Sequence, residues 1–401
     1  MTAVGGFVDI SELVFAAQAG SSFGYALIWV FAFSTVGIMI LGEMSGRVAA
    51  VAKQPVFNLM RHRLGLKLGL VTLGASLISN LITCAAEIGG ASIILHLLTG
   101  APYLLMAAAM VVVLIATIWV LPFKWIERTY GLLGLFMIVF AVALVKLHPP
   151  WADIAAGFVP QVPAGLSSRE RANFAYFGVA IISAVMFPYE VYFYSSGGIE
   201  EEWGVKDLPM NRINCVVGFG LGSLLAIAIL CNSAQLFGPL HIDPQLPGSA
   251  ALQPQQPMGR LGLLLALLGI LFAVAGAAIE TCLANAYSVA QFFGWKWGRN
   301  KKPWDTPRFT LVWIAIFVLA LMIVLTGVDV MQLVEYAVLF SIVVLPLTYL
   351  PLLLLASDRH FMREHRNGVI ANWLGWIYFA VIVLAAVAAV PLFILTSGGQ
   401  G

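Results

Sequence analysis

Long apolar runs, separated by short polar segments, follow one another along the whole chain. A helix needs about 20 mostly apolar residues to cross the hydrocarbon of a membrane, and eleven stretches of the sequence have that character. They lie near residues 2–20, 23–50, 67–98, 103–122, 125–147, 173–196, 212–237, 261–293, 307–326, 329–355 and 373–396. None of them shows the alternation that marks transmembrane strands, so we predict an all-α membrane protein of about eleven helices.

The composition agrees with that pattern. Hydrophobic residues make up 61% of the 401 residues and charged residues only 10%, whereas soluble domains carry roughly 25% charged residues. The mean hydropathy is +0.95. We therefore predict a single transmembrane domain over residues 1–401. Its two longest connections, 151–173 and 238–260, are either ordered caps or simple tethers.

Basic residues indicate how the spans are oriented, because Lys and Arg collect in short cytoplasmic loops. With the loop after the second span placed inside, the inner loops hold 17 of the 21 Lys and Arg residues. The outer segments hold only Lys146, Arg169, Arg171 and Arg260. We expect a cytoplasmic N-terminus, an external C-terminus and no secretory signal peptide, since Asp9 interrupts the first apolar run and no basic segment precedes it.

Buried-looking acids fall inside four of the apolar stretches. Asp9 and Glu12 are three residues apart and share one helical face, while Glu87, Glu190 and Glu280 stand alone in the third, sixth and eighth spans. A carboxylate at mid-membrane costs at least about 2.5–3.5 kcal/mol on insertion scales. These acids are either functional or held protonated, paired or hydrogen-bonded for packing. Asp9 alone has a further alternative, a wet position near the cytoplasmic interface.

The placement of the acids also indicates an internal repeat. If spans 1–5 and 6–10 correspond, acids recur in the first and third spans of each half. Five spans per half invert the two halves, which is the arrangement of secondary transporters with binding sites on broken helices near the midplane. We predict repeat one over about 1–147, repeat two over about 173–355 and an extra helix over about 373–396.

The segment AVMFPYEVYFYSS (184–196) is the second strong feature. Pro188 removes a backbone N–H and strains the preceding turn, so the sixth span should kink or break there. Glu190 and the phenol of Tyr189 lie beside the freed carbonyls. Such an oxygen-rich cluster suits a cation, although a Pro kink in a membrane helix is often only structural.

Other chemistry finds little support in the sequence. The four cysteines fall in predicted spans and form no Cys-x-x-Cys pair. We find no His-Glu-x-x-His, no Gly-x-Ser-x-Gly and no phosphate-binding loop. We therefore expect no enzymatic activity, although a membrane sensor or an intramembrane enzyme is the alternative from another class. The net charge of +2 gives no reason to expect a nucleic acid partner.

Several of these segments resemble the NRAMP family of divalent metal transporters. SELVFAAQAGSSFGYALIWV is similar to the family's first-to-second helix passage, and Asp9 and Glu12 fall on the Asp and Asn of its Asp-Pro-Gly-Asn motif. ITCAAEIGGASIILHLLTG resembles the third helix, with Glu87 on the family's Glu. FPYEVYFYSS resembles Met-Pro-His-Asn followed by His-Ser-Ser, and LPLTYLPLLLL resembles the tenth span. The resemblance implies a LeuT-type fold with a 5+5 inverted repeat, one extra helix, and interrupted helices 1 and 6.

The chain also departs from the family's motifs. Ile10 and Ser11 replace the Pro-Gly of the first helix, where Gly5 and Gly6 offer another source of a break. The metal-binding Met becomes Phe187, the two His positions become Tyr189 and Tyr194, and Cys84 takes the place of an Asp. A soft thioether is lost and carboxylates are gained at Glu12 and Glu190. Ligands of this type favour hard cations such as Mn²⁺, Mg²⁺ or Ca²⁺.

The resemblance and the acids together predict a transporter that moves a divalent cation by alternating access. The expected ligands are Asp9, Glu12, Glu190 and the backbone carbonyl of Phe187. Glu87, Glu280, Tyr189 and Tyr194 are predicted to line the pathway or relay protons. Whether transport is coupled to protons stays open, because tyrosines replace the family's two His residues and a phenol titrates far above neutral pH.

A rival function uses the same scaffold for another substrate. An organic cation or an amino acid would be held by cation–π contact with four aromatic residues, Phe187, Tyr189, Tyr192 and Tyr194. In either case we expect a multi-pass monomer in the plasma (inner) membrane, with the lipid bilayer and the transported ion as partners. We expect no resident cofactor, because the metal ion, with or without protons, would be cargo.

Overall fold

The computed structural model describes residues 8–399, the side chain of Leu64 excepted, as sixteen α-helices without a β-strand. The first seven are α1 (Ile10–Phe23), α2 (Ile28–Ala52), α3 (Val56–Thr99), α4 (Tyr103–Val120), α5 (Phe123–Gly134), α6 (Ile138–Lys146) and α7 (Trp151–Ala156). The others are α8 (Ser168–Val185), α9 (Pro188–Glu200), α10 (Leu208–Leu236), α11 (Pro247–Ala251), α12 (Gln255–Phe293), α13 (Pro307–Leu325), α14 (Val330–Ser357), α15 (Arg359–Met362) and α16 (Val369–Thr396). The all-α prediction is confirmed.

Ten segments among the described residues are long and apolar enough to cross a membrane. They coincide with the second to eleventh predicted spans, α5–α6 and α8–α9 each forming one span. The predicted first span, 2–20, appears as the 14-residue helix α1. Its earlier part, with Gly5 and Gly6, lies outside the described residues.

Two of the longest helices bend at a glycine. Gly65 in α3 has φ 79° and Gly259 in α12 has φ 64°, a region that residues with a Cβ rarely adopt. The bend in α3 separates its first turns from the membrane-length part, Gly65–Thr99. The predicted span from 67 therefore begins at a real change of helix direction.

The centre of the molecule is built from α1, α3, α9, α12 and α14, with α3 packed against α12 and α14. The helix α1 crosses α10 at Gly20, where an added Cβ would lie 2.1 Å from the Leu230 carbonyl oxygen. The outer helices α4 and α16 instead expose apolar side chains such as Val120, Leu384 and Ile394. In a helix long enough to span the bilayer, such side chains face lipid.

The two long connections are ordered caps rather than tethers. The first contains α7, and the backbone N–H of Trp29 donates to the Gly157 carbonyl at 2.9 Å. The second contains α11, and Gln18 Nε2 donates to Asp243 Oδ1 at 3.2 Å. Both connections thus pack over the region where α1 ends and α2 begins.

Candidate metal-ion site

The sixth predicted span is interrupted between α8 and α9, as expected. Met186 leaves the helical conformation (φ −122°, ψ 52°) and Phe187 is extended (φ −67°, ψ 136°). Pro188, the first residue of α9, has no N–H to give to the carbonyl four residues earlier, that of Ala184. The Ala184 carbonyl therefore lacks its helical donor, whereas that of Ser183 accepts from the Met186 N–H at 3.3 Å. The Ala184 oxygen is an available acceptor in the middle of the bundle.

The helix α1 begins opposite this break with Asp9 as its N-cap. Asp9 is extended (φ −82°, ψ 173°), and its Oδ1 accepts a hydrogen bond from the Glu12 backbone N–H at 2.7 Å. This bond fixes the carboxyl group at the helix start. Its second oxygen, Oδ2, is buried and has no hydrogen-bond partner. Asp9 therefore combines a capping role with an oxygen free for a ligand.

Glu87 of α3 is fully buried and lies beside the same helix start. Its Oε1 accepts a long hydrogen bond, 3.4 Å, from the Ile10 backbone N–H, and its Oε2 has no hydrogen-bond partner. Gly90, one turn further along α3, permits this approach, because an added Cβ would lie 1.9 Å from Ile10 Cδ1. A small residue in α3 thus brings Asp9 next to Glu87.

Glu190 enters from the other side, in the first turn of α9. Its Oε2 is buried without a hydrogen-bond partner, and the group lies within electrostatic range of Asp9 and Glu12. The buried Tyr189 packs its ring 5.6 Å from that of Phe187. Carboxyl groups from three elements, α1, α3 and α9, therefore face one interior region.

The structure does not gather these acids into a closed coordination shell. In the part of the chain from 8 to 399, no three His, Cys, Asp or Glu side chains lie close enough to hold one metal ion. Glu280 of α12 interacts electrostatically with Glu127 and Arg299.

Two aromatic residues of the predicted set point elsewhere. The Tyr194 hydroxyl donates to Asn211 Oδ1 of α10 at 2.9 Å, and Tyr192 is hydrogen-bonded to Thr348 of α14 at 2.7 Å. Both are held by neighbouring helices away from the acids. Only Phe187 and Tyr189 remain beside the break, which is a poor match to a four-ring cage for an organic cation.

A stripe of polar residues on α3 was not among the predicted features. It leads away from Glu87 at helical spacing and consists of Thr72, Ser76, Ser79, Asn80 and Thr83, all buried. Asn80 Nδ2 donates to Asn285 Oδ1 of α12 at 2.9 Å, and Ser11 of α1 adds a buried hydroxyl without a partner. In the sequence, these polar residues recur at intervals of three and four positions, which places them on one face of a helix. They are uncharged, so the pattern of acidic residues does not reveal them.

Comparison with known proteins decides the family. The sequence model of the family described as Nramp, natural resistance-associated macrophage protein-like, matches residues 1–391. The chain belongs to the Nramp family. The resemblance found in the sequence motifs is therefore confirmed over almost the whole chain.

Several known proteins are similar to this Nramp protein in sequence or in fold. Divalent metal cation transporter MntH of Ralstonia nicotianae is 27% identical over 404 residues, covering 95% of this chain and 87% of that protein. The Eremococcus coleocola manganese transporter superposes with a TM-score of 0.80 at 17% identity, covering 100% of this chain and 86% of that one. MhsT in complex with L-phenylalanine gives 0.64 at 16% identity, with 98% and 97% covered. The LeuT-type fold is confirmed, and the organic-substrate alternative is not favoured.

Proposed function

We propose that this Nramp protein is a secondary transporter that moves a divalent metal cation across the membrane by alternating access. The observation that carries the proposal is the convergence of unpartnered, buried oxygens of Asp9, Glu87 and Glu190 where α1 begins and α8 ends. Carboxylates out of water are stable only when a cation or hydrogen-bond donors compensate them. Relatives over the same length are named divalent metal cation transporters.

The donor atoms support a hard ion such as Mn²⁺ or Mg²⁺. We assign Asp9, Glu12 and Glu190 as carboxylate ligands, with backbone carbonyls at the break, including that of Phe187, completing the shell. All of these donors are oxygens, which hard divalent cations prefer, and a side-chain sulfur is missing from this set. Two or three carboxylates nearly balance the charge of one dication.

The remaining predicted residues receive pathway roles. Glu87 is buried against α1 and is placed to accept a proton or hold the ion in passing. Glu280 lies further along the route, and Tyr189 forms a wall of the site beside Phe187. Tyr194 shapes the contact between α9 and α10 through Asn211. Coupling of metal movement to protons through these acids is part of the proposal.

The topology follows from the basic residues. We place the N-terminus in the cytoplasm and the C-terminus outside, in the plasma membrane, with the chain as a monomer. The ordered connections over the end of α1 then form the outer cap. The repeats span about 1–147 and 173–355, and α16 is the extra helix.

Uptake of Mn²⁺ into proteoliposomes tests this function. Asp9→Asn and Glu190→Gln keep the shape of each side chain and remove its charge. We expect each to lower uptake at subsaturating Mn²⁺ by about tenfold or more, equivalent to about 1.4 kcal/mol of lost stabilisation.

Glu364→Gln is the matched control, because it removes the same charge from a side chain that is 86% exposed in the α15–α16 connection. It should transport as the unaltered protein does. If Asp9→Asn and Glu190→Gln also transported Mn²⁺ at the unaltered rate, neither carboxylate would be a ligand.

A further inference from the structure

A buried arginine lies at the end of α9 opposite to the helix break. The side chain of Arg299, in the connection between α12 and α13, is only 2% exposed. Its Nη2 lies 3.1 Å from Glu201 Oε1 and its Nε lies 3.7 Å from Glu200 Oε2. Removing a guanidinium from water is costly, and replacement by apolar residues is often as stable. This ion pair therefore calls for an explanation beyond stability.

Glu200 ties the end of α9 to two other elements. Its Oε1 accepts hydrogen bonds from the Arg299 backbone N–H at 2.7 Å and from the Tyr287 hydroxyl of α12 at 2.9 Å. Its Oε2 accepts one from the Asn300 backbone N–H at 3.2 Å. One carboxylate thus joins the tip of α9, the helix α12 and the connection that follows it.

The guanidinium also reaches the start of α5. Its central carbon lies 3.8 Å from the centre of the Phe123 ring and 5.6 Å from that of Phe193 in α9. A cation over an aromatic face is attracted to it, most strongly when both are desolvated. Arg299 therefore bridges α5 and α9 as well as pairing with Glu200 and Glu201.

This bridge stands at the wall of a cavity rather than in close packing. The cavity measures about 650 Å³ and is lined by Phe123, Lys124, Glu127, Arg128, Leu132, Glu201, Arg299 and Asn300. Arg299 Nε and Nη1 are buried but make no hydrogen bond. Two of its donors therefore remain unused beside the cavity.

Electrostatic interactions relate the acids of the central site to the residues of this cavity. Glu190 lies within electrostatic range of Glu280, and Glu280 lies within range of Glu127 and Arg299.

We propose that Arg299 is a tethered cation that closes this end of the ion pathway by occupying Glu200 and Glu201 and bridging α9 to α5 and the α12–α13 connection. Movement of the α9 tip away from that connection separates the guanidinium from Glu200 and Glu201 and opens this end. The inference rests on the proposed function, in which this end is cytoplasmic and opens during transport. Arg299 is thus a positioning residue for the closed state.

A thiol-labelling experiment tests the gate. Ala284→Cys places a reporter on the α12 face between Glu280 and Tyr287, where Ala284 is fully buried. The rate of its modification by a membrane-impermeant methanethiosulfonate is measured in inverted membrane vesicles. We expect Arg299→Gln to raise this rate about tenfold, within the usual range of coupling between a switch and a state. The chain without Ala284→Cys reports any labelling of the buried native cysteines.

Two further variants make the result decisive. Lys301→Gln removes a charge from an exposed residue of the same connection and should leave the rate unchanged. Glu200→Gln should raise the rate by less than Arg299→Gln does, because Arg299 keeps its contact with Glu201, and it should add less to Arg299→Gln than it does alone, because both changes remove the Glu200–Arg299 interaction. Unchanged labelling in Arg299→Gln and Glu200→Gln, each monodisperse after purification, would overturn the gate. Labelling requires no metal flux, so a failure of Mn²⁺ uptake is a separate result.

Discussion

Asp9 and Glu87 share a simple arrangement at the level of single residues. Each uses one carboxyl oxygen to accept a backbone N–H at the start of α1 and leaves the other oxygen buried without a partner. The backbone bond fixes where the group points, and the second oxygen remains for an ion. A carboxylate used only for packing would have both oxygens satisfied.

Gly90 controls how closely α1 approaches α3. In Gly90→Ala the new methyl group would meet Ile10 Cδ1 at 1.9 Å, so Ile10 must shift and carry Asp9 away from Glu87. We expect a loss of stability of about 1–3 kcal/mol from this overpacking, seen as a lower thermal unfolding midpoint, together with weaker Mn²⁺ binding.

Gly74→Ala in the same helix provides the comparison. No atom lies within 4 Å of its added Cβ, so the better helix propensity of Ala should keep or raise the midpoint. Combining Gly90→Ala with Ile10→Val, which removes the clashing Cδ1, should restore both properties. If Gly90→Ala behaved like Gly74→Ala, the close approach would have no importance.

At the level of elements, the break between α8 and α9 supplies oxygens that a continuous helix would consume. Pro188 cannot donate to the Ala184 carbonyl, and Phe187 is extended. The first turn of α9 then begins at the site itself, with Glu190 in it. Break and carboxylate are therefore parts of one proposed ligand arrangement.

Pro188→Ala restores the missing N–H. We expect α8 and α9 to join more continuously and the Ala184 carbonyl to become hydrogen-bonded, so that Mn²⁺ affinity in a direct binding titration falls about tenfold or more.

Pro391→Ala removes a proline from the interior of α16, on the periphery of the bundle, and should not change that affinity. Equal affinities for Pro188→Ala and the unaltered protein would show that the freed carbonyl does not contribute to binding.

Sequence patterns predicted the spans and the break because both depend on local composition. Apolar length defines a membrane helix, and Pro188 interrupts one wherever the rest of the chain lies. The closeness of Asp9 to Glu87 depends instead on Gly90 meeting Ile10, a contact that neither segment reveals alone. In the sequence, Arg299 is indistinguishable from the other basic residues of the loops. Its burial depends on Glu200, Glu201 and Phe123, which come from distant parts of the chain.

At the scale of the whole molecule, the central acids lie between two sets of contacts. On one side, ordered connections cover the end of α1 through contacts such as Gln18 to Asp243. On the other, Arg299 holds the tip of α9. In the proposed mechanism, an ion bound between them leaves when one end releases its contacts, which is the physical requirement for alternating access.

Anomalous scattering from crystals soaked in Mn²⁺ tests the central claim most directly. We expect one strong peak between the start of α1 and the α8–α9 break, with oxygens of Asp9, Glu12 and Glu190 about 2.0–2.6 Å from the metal or joined to it through water. Crystals of transport-active protein that bind Mn²⁺ elsewhere, with these carboxylates uninvolved, would contradict the account.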